Sequence, residues 1–385
     1  MNARPGGHPV PREGRAARVG EVARFFLYLG TVGFGGPMAT IAMMEAETVE
    51  RRRWVGKEEF LAGVALCQAL PGPASTQVGI YLGYLRAGWA GAVVAGACFI
   101  GPAFLMLLGL SWAYFRFGAL PAVGGLFYGL KPAVVAIILA TCYRLGRSTV
   151  TDWKLGALLA ASFALVYGWG LDIILLILLA GALGVALYGR PSQPGVGAAV
   201  LLAAAAPAAA GAAGGLLFLT GFFLKVGAFI YGGGYVIIPF IQLEVVEKFR
   251  WLTAQEFVDG LALGQLTPGP IVKTAAFIGY KVAGLGGAVA ATFAIFFPSF
   301  VFVLLAAPFL ARFREDPRVR AFLKGVNPAV VGAILAATVG IGRASLVDPV
   351  TWAWGATALV ASLRFRLGVP WLVGGGAALG LLVGR

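Results

Sequence analysis

The chain repeats itself. The stretch from Phe25 to Pro73, FFLYLGTVGFGG…LCQALPGP, returns from Phe222 to Pro270 as FFLKVGAFIYGG…LGQLTPGP, at a constant offset of 197 residues. One deletion brings the offset to 196, and the correspondence continues. Gly83 and Tyr84 match Gly279 and Tyr280, Pro102 matches Pro298, the Pro-Ala-Val-Val at Pro132 matches that at Pro328, and Arg147 matches Arg343. Self-similarity over this length means two homologous units about one pseudo-symmetric centre. The organisation expected is a basic, disordered tail (1–20), a first repeat (21–190), a connecting segment (191–219) and a second repeat (220–385).

What each repeat is made of follows from its apolar runs. Six are read in the first half, about 22–44, 60–85, 87–115, 119–143, 154–169 and 171–189; six in the second, about 217–243, 257–281, 283–311, 321–341, 350–363 and 367–384. Hydrophobic residues make up 59% of the 385 and charged ones only 12%, at a mean hydropathy of +0.87, about half the charge of a soluble domain. The fold class is therefore an all-α polytopic membrane protein, with a spanning helix needing about 20 apolar residues.

Charge sets the expected topology. The net charge of +14 comes from basic residues lying singly or in short clusters between apolar runs: Arg144 and Arg147, Arg190, Arg312 to Lys324, Arg364 and Arg366. Nucleic-acid binding would want them on one dense face. Cytoplasmic loops under the positive-inside rule scatter them in this way. All four clusters fall inside, with the N-terminus, only if the Ala- and Gly-rich stretch 196–219 also crosses, which turns the halves into inverted repeats about an axis in the membrane plane. The first two elements of each half leave a choice between spans and re-entrant hairpins. Arg51, Arg52, Arg53 and Lys57 favour hairpins, because only then do they also lie inside, but the neighbouring acidic residues offer the alternative of holding them at an interface.

The breaks in those elements point to the chemistry. Gly33 to Pro37 and Pro71-Gly72-Pro73 interrupt the first half; Gly232, Gly233 and Gly234, then Pro268-Gly269-Pro270, interrupt the second. Proline removes a donor and glycine admits non-helical angles, so backbone groups are freed at membrane depth. Breaks of that kind are tolerated where they are buried in protein or line a cavity, and a half-helix N-terminus there offers N–H groups to an anion. They can also be packing notches, but their occurrence as matched pairs in two repeats favours a transport site. The candidate substrate-binding residues are Gly35, Gly36, Gln68, Pro71, Gly72, Pro73, Ser75, Thr76 and Gln77, with Gly232, Gly233, Gly234, Gln265, Pro268, Gly269, Pro270, Lys273 and Thr274. Lys273 stands out as an ammonium inside an apolar run.

The carboxylates concentrate in two matching blocks, Glu45 to Glu59 and Glu244 to Asp259. Glu47, Glu50, Glu244 and Glu247 are read as coupling or salt-bridge residues. Pairing with the neighbouring Arg and Lys is preferred, and Glu47 and Glu244 are the candidates for taking up a coupling proton. Trp54 and Trp251 read as headgroup anchors. Cys67, Cys98 and Cys142 are scattered and His8 is the lone histidine, so neither a metal site nor a disulfide framework is expected, nor a cofactor.

The GFGGP at 33–37, the E-x-x-E-x-x-x-W block at 47–54, the Q-x-L-P-G-P at 68–73 and their second copies resemble the chromate ion transporter family in its long, two-domain form. The resemblance covers the chain after its tail. It implies a prokaryotic inner-membrane protein that exports chromate, a tetrahedral dianion, and confers resistance, with two halves of opposite orientation. This chain departs from an even duplication: the second copy has Tyr-Gly-Gly-Gly-Tyr where the first has Phe-Gly-Gly-Pro, Gln242 for Glu45, and Lys273 for Thr76. The expected function is secondary active export, with sulfate or another oxyanion as the alternative substrate. A lipid-phosphate enzyme lacks a nucleophile or metal motif here, and a passive channel is a third reading. Partners are the oxyanion and the bilayer, and a homodimer is left open.

Overall fold

In the computed structural model the described residues are 14–118, 120–189, 215–231, 234–307 and 317–383. Within them the fold is all helical and follows the repeat element by element. In the first half α1 is Arg15–Val32 and α2 is Gly36–Glu45, which runs on as a π-helical turn over Ala46–Arg51. Then come α3 (Lys57–Ala69), α4 (Ala74–Phe117), α5 (Pro121–Thr149), α6 (Trp153–Trp169) and α7 (Ile173–Tyr188). The second half has α8 (Leu216–Ala228), α9 (Ile237–Phe240) with a π-helical run over Ile241–Lys248, α10 (Ala254–Leu266) and α11 (Thr274–Ala306). It ends with α12 (Pro317–Ser345), α13 (Pro349–Arg364) and α14 (Val369–Val383).

Two boundaries differ from expectation. Helix α1 starts at Arg15, inside the stretch read as a tail, because the Ala- and Arg-containing run after Gly14 is helix-compatible. Helix α8 starts at Leu216, so the last residues of the expected connector belong to the second repeat. Residues 1–13 and 190–214 lie outside the described residues, and with them His8, most of the connector and its crossing.

Among the described residues four stretches are long and apolar enough to cross a membrane: Ala74–Phe117, Val123–Thr149, Ile271–Ala306 and Pro317–Ser345. The first and third are not single rods. Ala87 and Gly88 leave helical angles, as do Ala283 and Gly284, with Gly88 at φ 67° and Gly284 at φ 57°. A Cβ on Gly91 would collide with the carbonyl of Gly83, and one on Gly287 with that of Gly279. Residues on either side of each turn are therefore in contact, and the chain doubles back. We write α4a and α4b, α11a and α11b, for the arms.

The same folding-back occurs at the Gly and Pro breaks. Gly63 on α3 lies against the Tyr81 ring on α4a, as Gly260 on α10 lies against Phe277 on α11a. Arg52 at the end of α2 reaches Glu21 near the start of α1 at 3.4 Å, and Phe25 meets Trp54 at 5.8 Å. In the second half Lys225 reaches Glu244 at 2.8 Å and Phe222 meets Trp251 at 5.5 Å. The first two elements of each half are thus hairpins of two short helices, closed at a base and broken at a tip. Trp54 and Trp251 pack in the bases, Trp54 beneath the guanidinium groups of Arg52 and Arg86.

The halves do not pack as two separate lobes. Helix α5 packs on α13 and α14 of the other half, α12 packs on α6 and α7, and α5 crosses α12. The backbones come close: Gly125 and Gly129 face Gly380 and Gly376, while Ala321 and Gly325 face Gly184 and Ala180. In each pairing one residue number rises as the other falls, so α14 runs antiparallel to α5 and α7 antiparallel to α12. Such reciprocal contacts are the mark of a two-fold. The six helices α5–α7 and α12–α14 form a scaffold, and the hairpins with α4b and α11b form a second body, held together by α1 on α4, α8 on α11, and α4 on α11.

The two bodies meet unequally. Helix α10 packs on α5, α12 and α14, and α9 on α12, whereas α3 touches α12 only lightly. Val258, Ala262 and Gln265 on α10 are buried, while their counterparts Leu61, Ala65 and Gln68 on α3 are exposed. The difference is large: Leu61 is 49% exposed and Val258 1%.

Candidate functional site

The breaks are tips, and the tips meet. Gly72 N–H donates to the carbonyl of Ile230 at 2.6 Å, and Gly269 N–H to that of Gly33 at 3.1 Å. These are the same bond related by the repeat: the centre of each Pro-Gly-Pro is tied to the broken end of the other half's first helix. Gly72 and Gly269 adopt φ of 132° and 90°, angles that suit glycine. A Cβ on Gly72 would strike Gln77 and Ser299, and one on Gly269 would approach Ala103, again a symmetric pair of surroundings. Gly234 packs on Ile271 and Val272 just past the second Pro-Gly-Pro.

Helix α4a begins immediately after Pro73, with Ser75, Thr76 and Gln77 in its first turn, all at most 3% exposed. The amide of Gln77 donates to the Pro71 carbonyl at 2.6 Å. Thr76 Oγ1, Gln77 Oε1 and the Oγ of Ser299 are buried with no protein partner, as is the Nε2 of Gln265. Buried polar atoms are normally satisfied, because leaving one bare costs about 1–3 kcal/mol. The groups of Thr76, Gln77 and Ser299 lie beside the α4a N-terminus, where unpartnered polar atoms fit a polar ligand or water.

Lys273 is 1% exposed and lies at the second tip. Its ammonium donates to the carbonyls of Thr267, Pro268 and Gly269 at 3.0, 2.7 and 3.3 Å. Those are the open carbonyls at the C-terminal end of α10, where the helix dipole favours a cation. All three donors of the ammonium are engaged, so Lys273 gives the centre a positive charge and holds the loop. It does not reach out as a free ligand. The residue doing the same work in the first half is Gln77, not Thr76: Gln77 caps Pro71 as Lys273 caps Pro268, its repeat equivalent. The deletion between the repeats thus falls just after the Pro-Gly-Pro.

Of the other candidates, Thr274 donates to Ile271 and closes the short 3₁₀ turn there. Gly35 and Gly36, at φ 104° and 81°, open α2 at the first tip. Gln68 is exposed. Gly232 and Gly233 lie outside the described residues.

The glutamates are elsewhere. Glu47 accepts from Arg52 at 2.6 Å and from Arg51 at 3.1 Å, and Glu21 joins Arg52 to Arg86, so the base of the first hairpin is a charge network. Glu244 accepts both of its bonds from Lys225, and Glu247 accepts from Gln242 at 3.0 Å. Glu50 is exposed. Eleven residues separate Gly36 from Glu47, about 16 Å along a helix, so these carboxylates are not brought to the tips. Sequence reading missed Ser299, whose counterpart Ala103 hides it from a repeat comparison. It also missed Lys131, a buried lysine in an apolar run that meets the criterion applied to Lys273. Lys131 Nζ stands 3.1 Å from Asp259 Oδ1, and both residues are buried.

A family model described as chromate transporter matches the chain twice, at residues 20–185 and 215–381. The chain is 38% identical to the chromate transport protein of Cupriavidus metallidurans over 373 residues, covering 94% of this chain and 92% of that one. It is 36% identical to the probable chromate transport protein of Synechococcus elongatus, covering 91% of each. A shorter relative, an uncharacterized transporter of Bacillus subtilis, is 31% identical over 125 residues, which are 32% of this chain but 70% of its own. No solved structure matches.

Proposed function

Since the chain belongs to the chromate transporter family, we propose that it exports chromate from the cytoplasm of a prokaryotic cell by secondary transport, with the oxyanion held where the four hairpin tips meet. The observation that carries this reading is the pair of bonds from Gly72 to Ile230 and from Gly269 to Gly33. They tie the breaks of both halves into one buried locus, and a locus shared by two repeats is where a carrier can face either side. Backbone donors at the α4a N-terminus, the hydroxyls of Ser75, Thr76 and Ser299, the amides of Gln77 and Gln265 and the field of Lys273 suit a tetrahedral dianion.

The halves are read as inverted repeats. Helices α5 and α7 run in the same direction because α6 lies between them, and α7 is antiparallel to α12, so α5 and α12 oppose. Hairpins that return to their own side leave four crossing helices per half, and the chain between the halves must then cross. That places the basic loops near Arg147, Arg190, Lys324 and Arg364 together in the cytoplasm with the base at Arg51–Lys57, as the charge rule favours. The unequal burial of α3 and α10 supports a carrier caught open on one side.

The test is uptake of labelled chromate into inverted vesicles, with sulfate as competitor and a proton ionophore added. Accumulation against a gradient, weakened by the ionophore, is expected. Uptake that only equilibrates would replace the carrier with a channel, and full competition by sulfate would shift the substrate.

A further inference from the structure

One joint between the two bodies is ionic. Asp259, on α10 of the hairpin body, is 4% exposed, and Lys131, on α5 of the scaffold, is 8% exposed. Lys131 Nζ stands 3.1 Å from Oδ1, close enough for an ion pair but out of line for a hydrogen bond; Tyr114, at the end of α4b, donates to Oδ2 at 2.8 Å. The repeat does not duplicate it: Ala62 stands at the place of Asp259 and Asn327 at that of Lys131. The hairpin helix that carries Asp259, α10, is the one packed on the scaffold, and its repeat counterpart α3, which has Ala62 in that place, is the one whose face is exposed.

We propose that Asp259 and Lys131 form a proton-operated latch, which holds the second half's broken hairpins against the scaffold while Asp259 is ionised and releases them when it is protonated. The proposal rests on the transport reading and names the group that links it to protons. The proton comes from water and forms an O–H bond at Oδ1, while Lys131 keeps all its protons and loses only its counter-charge. An ammonium left buried without a partner is strongly unfavourable, so the bodies part until water or an oxyanion reaches it.

The other groups facing Asp259 leave this as the switch. Glu256, one turn earlier on α10, is held by Lys281 of α11a at 2.7 Å, and Tyr114 is a neutral donor. Helix α14 has no charged residue, and α12 carries its own only near its ends, Arg318, Arg320, Lys324 and Arg343. The glutamates considered for coupling, Glu47 and Glu244, are paired within single hairpins. Parting the bodies would leave those pairs intact.

The experiment is labelling of Val258→Cys, a buried position beside Asp259, by a water-soluble maleimide in vesicles. The full chain is used, with Cys67, Cys98 and Cys142 replaced. Taken relative to an exposed cysteine at the same pH, which divides out the thiol's own ionisation, labelling is expected to be slow at alkaline pH and to rise as pH falls. Adding Asp259→Asn or Lys131→Met should raise the alkaline rate by about tenfold or more, since each breaks a buried pair. Replacing both members, Lys131→Met with Asp259→Leu, should restore slow labelling and remove its pH dependence. A wild-type rate in Asp259→Asn, or a surviving pH response in the double variant, would overturn the latch. Labelling needs no substrate, so it is read independently of transport. A working latch in a chain that moves no chromate would sink the functional reading alone, and chromate transport with pH-blind labelling would sink the latch alone.

Discussion

Lys273 shows how far a residue type constrains a mechanism. An ammonium in an apolar run had to be compensated, and its position after a Pro-Gly-Pro placed it at a break; both were legible in the sequence. What compensates it was not, because three carbonyls of one loop are brought to a point only by the turn itself. Lys273→Gln is expected to keep the loop, as Gln77 keeps its equivalent, and to lower chromate export by removing the charge. Lys273→Met loses both. Export by Lys273→Met at the wild-type rate, measured in resistant cells and in vesicles, would remove Lys273 from the site. The turn glycines give a second test. Gly91→Ala should cost about 1–3 kcal/mol, because a backbone carbonyl stands where the methyl would go. Gly109→Ala, in the same helix with open space around it, should be neutral or raise stability by about 0.5–1 kcal/mol. Thermal unfolding of the solubilised protein distinguishes them.

At the scale of elements, the helices α6, α7, α13 and α14 follow their apolar runs to within two residues, since each run is a helix bounded by Asp, Gly or Pro. Asp152 and Asp348 cap α6 and α13 at equivalent places, and each also accepts from a tyrosine, Tyr188 and Tyr128 respectively, at 2.7 Å. The Thr351 backbone N–H, then the Tyr128 hydroxyl, hold the Asp348 carboxyl below its ordinary pKa. Its stabilisation is therefore complete above that ordinary value and fades as pH falls through the depressed one. Asp348→Asn should keep the cap and flatten the acid limb of stability, whereas Asp348→Ala should lower the unfolding temperature at neutral pH. An unchanged acid limb in Asp348→Asn would exclude the assignment. The hairpins were less legible: a run of apolar residues looks the same whether it crosses or turns back. Only the basic residues at Arg51–Lys57 hinted at the return.

For the molecule as a whole, the repeat disclosed two homologous halves but not their mixing. Apolar periodicity reports that a helix has a covered face and is silent about which helix covers it, so scaffold and hairpin bodies that each draw on both halves were beyond it. Topology is the prediction at this scale. Single cysteines at Gly189 and Pro317, in the background without native cysteines, should react with an impermeant maleimide from the same side of the membrane. Reaction from opposite sides would contradict the inverted arrangement. The packing of α14 on α5 also sets a schedule for biosynthesis. Gly129 waits for Gly376, made about 250 residues later, and at ribosomal speeds of about 5–20 residues per second that is roughly 12–50 s. Through that interval the face of α5 around Gly129 lacks the helix that covers it. The scaffold is completed only once α14 has been made, so its maturation ends with an act of assembly rather than proceeding helix by helix.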